Sequence, residues 1–149
     1  MNKTDIKKIC IIDGQGGGIG SAIIKRIKER FGETIEVIAL GTNAIATAQM
    51  LKARANKGAS GSNAIVQTVK KADVIIGPVG ILMPHAMMGE VTREMAEAIC
   101  LSDAKKILLP LTQENIAIVG VSGLPLPLLV DELLSTHLSF LDKEKTSHV

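Results

Sequence analysis

The sequence predicts a single α/β domain built on a doubly wound, mostly parallel sheet of five strands, the last of them antiparallel. Three observations carry that prediction. Residues 9–13 ("ICIID"), 34–40 ("TIEVIAL") and 73–80 ("DVIIGPVG") are nearly continuous apolar runs of strand length, the pattern of strands covered on both faces. Each run contains or is directly followed by glycine, and segments of helical period separate the runs. A chain of 149 residues, 46% apolar and 21% charged, also fits one domain with a substantial core.

The elements follow in order. After the first strand and its glycines, 21–31 ("SAIIKRIKERF") sets Ile23, Ile24, Ile27 and Phe31 on one face, with Lys and Arg on the other and Gly32 as the stop. The second strand, 34–40, turns at Gly41 into a helix over 43–56 capped by Thr42 or Asn43. A third helix follows Ser62 and ends near Ala72. A helix over 43–56 descends about 21 Å, whereas residues 57–61 climb at most about 17 Å, which sets that third helix obliquely. The third strand is 73–80, a short helix spans 92–101, and "KILLPL" (106–111) and "IAIVGV" (116–121) read as the fourth and fifth strands. Only "TQEN" separates those two, too few residues for a crossover, so they pair as an antiparallel hairpin in a sheet of order 2-1-3-4-5. A helix over 125–140 closes the domain, 1–141, and 142–149 is a frayed tail.

Composition excludes several functions. Phe31 and Phe140 are the only aromatic residues, the formal charge is +2 and the lysines are scattered, so neither stacking nor a basic patch supports nucleic-acid binding. Cys10 and Cys100 stand in apolar surroundings far apart, which suggests two buried free thiols in a reducing compartment, not a disulfide framework or metal knuckle. The opening "MNKTDIKK" is polar and no apolar run reaches membrane length, so neither a leader nor a membrane partner is expected and the cytoplasm is the default location.

Residues 14–20 carry the main functional signal: Gly14, Gly16, Gly17, Gly18 and Gly20, with Gln15 and Ile19 between them. Glycine in ordered structure costs roughly 0.5–1 kcal/mol relative to alanine, so such a run is expected where something must come close to the backbone. Between a buried strand and a helix start, that something is commonly a phosphate, received by amide hydrogens and the helix dipole; a tight turn without a ligand is the plainer alternative. A small echo, "GTNAI" at 41–45 and "GSNAI" at 61–65, reads as shared helix capping, or as two helix starts aimed at one anion with Ser60, Ser62 and Asn63 involved.

The spacing of Gly14, Gly18 and Gly20 fits G-x-x-x-G-x-G and ends in "GIG", which resembles the loop of short-chain dehydrogenases; the resemblance implies an NAD(P)-binding Rossmann fold. It covers the first forty-odd residues. Asp13 stands where that family carries a small or hydroxyl residue, and the chain has no Tyr for the family's Tyr-Lys pair, so its chemistry does not carry over. Over nearly the whole length, "IIDGQGGGIG", "IALGTNAIATAQMLKA" and "DVIIGPVGI" look like a small family of bacterial proteins of unknown function; that resemblance implies a cytoplasmic, Rossmann-like single domain.

Around this loop, Asp13 is read as binding its own turn, or as meeting a ribose hydroxyl or a metal-bound phosphate. The second strand ends in Gly41, Thr42 and Asn43 where a ribose would ordinarily meet an acid, which leaves NAD, NADP or another nucleotide open. Gly77, Pro78 and Gly80 bring the third loop to the same sheet edge, where His85 and Glu90 are the acid-base candidates; surface or capping roles are the alternative. Met83, Met87, Met88 and Met95 read as core or dimer-interface filler, and no metal site is expected. The expectation is a nucleotide-binding protein, NAD or NADP in kind and a homodimer. The alternative to an enzyme is a sensor that binds the nucleotide without turnover and signals through a dimer surface.

Overall fold

The computed structural model of the chain describes residues 7–112 and 114–146. Strand β1 (Lys8–Asp13) leads to α1 (Gly18–Phe31), β2 (Glu36–Gly41), α2 (Ala44–Lys52), β3 (Lys57–Ser60) and α3 (Ser62–Thr68). Then follow β4 (Val74–Pro78), α4 (Arg93–Leu101), β5 (Lys105–Leu109), α5 (Leu126–Glu132) and α6 (Ser139–Thr146). The sheet runs β3-β2-β1-β4-β5 and every pair is parallel.

The apolar run of β1 serves both faces of this sheet. Ile9 and Ile11 pack with Ile23, Ile24 and Ile27 of α1 and with Leu129 and Val130 of α5. Cys10 and Ile12 pack on the opposite side with Ile65 of α3 and Met95, Ala96 and Ile99 of α4. Burying one such side chain is worth about 1.5–3 kcal/mol, so alternate residues of one strand hold a helical layer on each face. From β1 the chain steps outward through β2 to β3; α3 then carries it back to β4, on the other side of β1. The two connections leave β1 in opposite directions and open a crevice at the carboxyl ends of β1 and β4.

Two parts of the predicted topology are corrected. Residues 116–121 form no strand: Ile116 and Ile118 are exposed, Val119 is 100% exposed, and the segment turns at Gly120 with φ 88. Its apolar, β-branched composition imitates a strand, but β5 pairs only with β4 and no antiparallel hairpin forms. The fifth strand is instead 57–60, "KGAS", which offered no apolar run because it lies at the edge, with β2 as its one neighbour. It also removes the need for an oblique third helix. Helix α2 ends at Lys52 and descends only about 14 Å, which four strand residues nearly retrace at about 3.3 Å each.

Smaller differences have local causes. The expected helix over 125–140 is interrupted by a π-helical turn at Leu133–His137, and α6 continues to Thr146, into the stretch read as tail; 147–149 lie outside the described residues. Lys28 is buried although its neighbours Lys25 and Arg30 are exposed, because its ammonium donates to Asn56 Oδ1 at 2.7 Å and to Glu33. Cys10 is buried, and burial above all pushes its thiol up to about 12, whereas Cys100 is exposed and not buried as expected. Among the described residues no helix is long and apolar enough to cross a membrane.

Candidate functional site

The glycine loop closes on Asp13, the last residue of β1. Its Oδ1 accepts from Gly14 N at 2.8 Å and its Oδ2 from Gly20 N at 2.7 Å, so both oxygens staple the two ends of the loop together. The carboxyl is raised above the ordinary aspartate range, by burial first; the amides of Gly20, Gly14 and Ile19 pull it back down and the charge of Glu90 adds to the rise. Of the roles weighed for Asp13, binding its own turn is the one these contacts display.

The glycines of the loop divide into two kinds. Gly17 takes φ 73 as the N-cap of α1, and a Cβ there would stand 2.7 Å from the carbonyl oxygen of Ala46. A Cβ at Gly14 would stand 2.5 Å from Met87 Sδ, and one at Gly20 2.5 Å from Met50 Sδ; Gly41 and Gly77 are likewise pressed against Thr47 Oγ1 and Ile12 O. Backbone atoms bar a side chain at Gly17, Gly41 and Gly77, whereas at Gly14 and Gly20 the nearest neighbours are methionine side chains that can give way. Gly16 and Gly18 are different: both are exposed, neither has positive φ, and a Cβ at either would meet nothing. Among the described residues none accepts a hydrogen bond from their amides, whereas Gly17 N donates to Gly14 O. Unpaired donors on exposed residues thus stand at the positive end of a fourteen-residue helix.

Glu90 reaches this rim from the loop after β4. A single oxygen, Oε1, accepts from Gln15 N at 2.8 Å, Thr42 Oγ1 at 2.6 Å and Asn43 Nδ2 at 2.8 Å. Burial lifts its pKa, but the bonds from Thr42, Gln15 and Asn43 outweigh that and hold the carboxyl below the usual glutamate range. Asn43 also caps α2 through Ala46 N, at 2.8 Å, as its position predicts. The loop behind Glu90 is bent sharply: His85, Met87 and Met88 all have positive φ, which side chains other than glycine rarely adopt.

Beside Glu90, at the β1/β4 crevice, lies a cleft of about 290 Å³. Asp13, Gly14, Gln15 and Ile19 form one wall; Pro78, Gly80 and Met87 face them, with Leu111, Thr112 and Glu114 beyond. Glu114 Oε1 accepts from Met87 N at 3.1 Å and so ties the stretch after β5 to the loop after β4.

Gly14, Gln15, Ile19, Gly41, Thr42, Asn43, Pro78, Gly80 and Glu90 therefore gather at one sheet edge, at or beyond the carboxyl ends of β1, β2 and β4. His85 does not join them: it is exposed, is absent from the cleft lining, and no bond links it to Glu90. Ser60 Oγ turns to Thr47 Oγ1 and Ser62 Oγ contacts Thr92 Oγ1; α3 starts from Gly61 without a side-chain cap, so the two echoed pentapeptides do not share their capping chemistry. The methionines split: Met95 is core, Met83 and Met87 pack against it, and Met88 is 93% exposed. Among the described residues no three His, Cys, Asp or Glu side chains gather as a metal site would require. Leu111, Thr112 and Glu114 were missed as cleft residues because the hairpin assigned to 106–121 took the end of β5 away from this edge, and Met87 because it was read as core or interface filler.

Fold and site define an α/β protein with an all-parallel five-stranded sheet and a crevice at its carboxyl edge. The chain belongs to the family described as domain of unknown function DUF3842, whose model matches residues 8–142. No curated protein and no solved structure gave a match.

Proposed function

We propose that this protein binds a nucleotide, NAD or NADP in kind, with its phosphates over Gly16–Gly18 and one end of the ligand in the cleft between β1 and β4. The observation that carries the reading is the pair Gly16 and Gly18. Their amides have no acceptor among the described residues, both residues are exposed, and nothing around them demands glycine there, while approach of an anion to the backbone would. The strand order supports it, since 3-2-1-4-5 is the order of Rossmann dinucleotide-binding sheets, whose ligands lie across this crevice. A cleft of 290 Å³ is at the small end for a ligand site and suits a nucleoside-sized half of a dinucleotide.

A sensor without turnover is the second reading, and the acid-base inventory favours it. His85 stands outside the cleft, and Asp13 and Glu114 are both engaged with backbone amides. The exposed Met88 and the exposed apolar stretch at 116–121 suit a surface through which a second copy of the chain would receive the signal.

The chain has neither Trp nor Tyr and absorbs very little at 280 nm, so a carried nucleotide is easy to see. The purified protein should show a 260 nm band released on denaturation, or a rise in melting temperature with NAD or NADP. A clean spectrum together with no thermal shift from NAD, NADP, FAD, ADP or coenzyme A would reject nucleotide binding.

A further inference from the structure

We propose that Glu90 is the specificity residue of this site, its carboxylate receiving the free 2′,3′-diol of an adenosine ribose, so that the protein selects NAD over NADP. The proposal rests on the nucleotide-binding reading above and adds to it which ribose is taken.

In sheets of this order the adenosine ribose lies beside the end of the second strand, and an acidic residue there accepts from its hydroxyls. The chain itself ends β2 with Gly41, Thr42 and Asn43, none of them acidic. The fold supplies the missing carboxylate from elsewhere: Glu90, forty-eight residues beyond Thr42, is hydrogen-bonded to Thr42 and Asn43 and to the amide of Gln15 at the start of the glycine loop. The carboxylate therefore stands between the two segments that a ribose would contact. Its three bonds all converge on Oε1, and Oε2 takes none of them. The first oxygen fixes the group in position, and the second is left to accept from a ligand hydroxyl.

The charge pattern separates the two candidate riboses. The donors that could have welcomed a 2′-phosphate, Gln15 N, Thr42 Oγ1 and Asn43 Nδ2, are already directed at Glu90. Among the described residues no Lys or Arg lines the cleft or holds the carboxylate. A phosphate in that position would face a carboxylate with no cation to offset it.

The test is calorimetric titration of the intact protein with NAD and with NADP at neutral pH, repeated on Glu90→Gln and Glu90→Asp. The wild type should bind NAD at least about tenfold more tightly than NADP. Glu90→Gln should weaken NAD and strengthen NADP until the gap closes to within a few fold, and Glu90→Asp should retain a preference for NAD. Equal wild-type affinities, or tighter binding of NADP, would overturn the proposal while leaving nucleotide binding intact, and this holds even if the variants fail to fold. Glu90→Gln tightening both ligands alike would also overturn it, since the carboxylate would then be only a plug over the rim. No binding of either nucleotide by the wild type would remove the parent reading and this one with it.

Discussion

Gly17→Ala should lower the melting temperature by about 10 °C, while Gly16→Ala and Gly18→Ala leave it unchanged or slightly raised. At Gly17 two costs add. The left-handed φ of 73 costs a side chain on the order of 1 kcal/mol. The new methyl would also press on backbone, the Ala46 carbonyl oxygen at 2.7 Å, and overpacking against atoms that cannot swing aside costs about 1–3 kcal/mol. For a domain of this length each kcal/mol moves the midpoint by about 3 °C. At Gly18, the first residue of α1, neither cost arises, and alanine loses less chain entropy on folding. A charged side chain at position 17 would therefore disturb the fold as well as any ligand, so loss of binding in such a variant says nothing about the loop's role; Gly16 and Gly18 are the informative positions. Thermal melts of the three alanine variants check the pattern.

Asp13→Asn should cost roughly 2 kcal/mol, about 6 °C in the same melt. Both oxygens of Asp13 accept from amide N–H groups, and an Asn in its place must turn its NH₂ toward one of those donors, leaving it buried and unpaired. The variant should also flatten part of the pH dependence. Because burial raises the folded-state pKa of Asp13 above its unfolded value, the stability it carries is fully present below the unfolded pKa and is lost as pH rises through the folded one. Wild type should therefore lose stability relative to Asp13→Asn as pH rises from the ordinary aspartate range through the raised pKa. Parallel curves for wild type and variant across that range would mean that the pH dependence belongs to another group.

What could be read in the sequence was set by how completely each element is buried. Strands β1, β2 and β4 are covered on both faces, so their apolar runs stand out, and the glycines after β1 and β2 and within and after β4 announce where the chain turns. The edge strand β3 has one neighbour and a single apolar residue, Ala59, and nothing in "KGAS" marks it as a strand; only the difficulty of bringing the chain back from the second helix pointed to it. Conversely, 116–121 has a strand's composition with no ladder to join, because strand propensity describes a side chain's fit to a sheet and does not create the sheet.

The site was legible in the same uneven way. Residues at or directly after strand ends, such as Gly14, Gln15, Thr42, Asn43 and Pro78, could be assigned to one edge from topology alone. Glu90 could be named as a candidate, but its partnership with Thr42 and Asn43 depends on a tightly bent loop with successive left-handed residues, a path that spacing does not encode. For the glycines, the run was visible and its division was not: which of them are hemmed in depends on Ala46, Met50 and Met87, all distant in sequence.

The central claim is that the amides of Gly16 and Gly18 are left bare to receive a phosphate. Titrating NAD into the wild type and into Gly18→Ala tests it most directly, since a methyl group there meets no protein atom and would stand only against a ligand drawn close to the backbone. The expected variant melts no lower than the wild type yet binds NAD about thirtyfold more weakly, the equivalent of one lost hydrogen bond to a charged group at about 2 kcal/mol. A variant that keeps its stability and binds NAD as tightly as the wild type would contradict it.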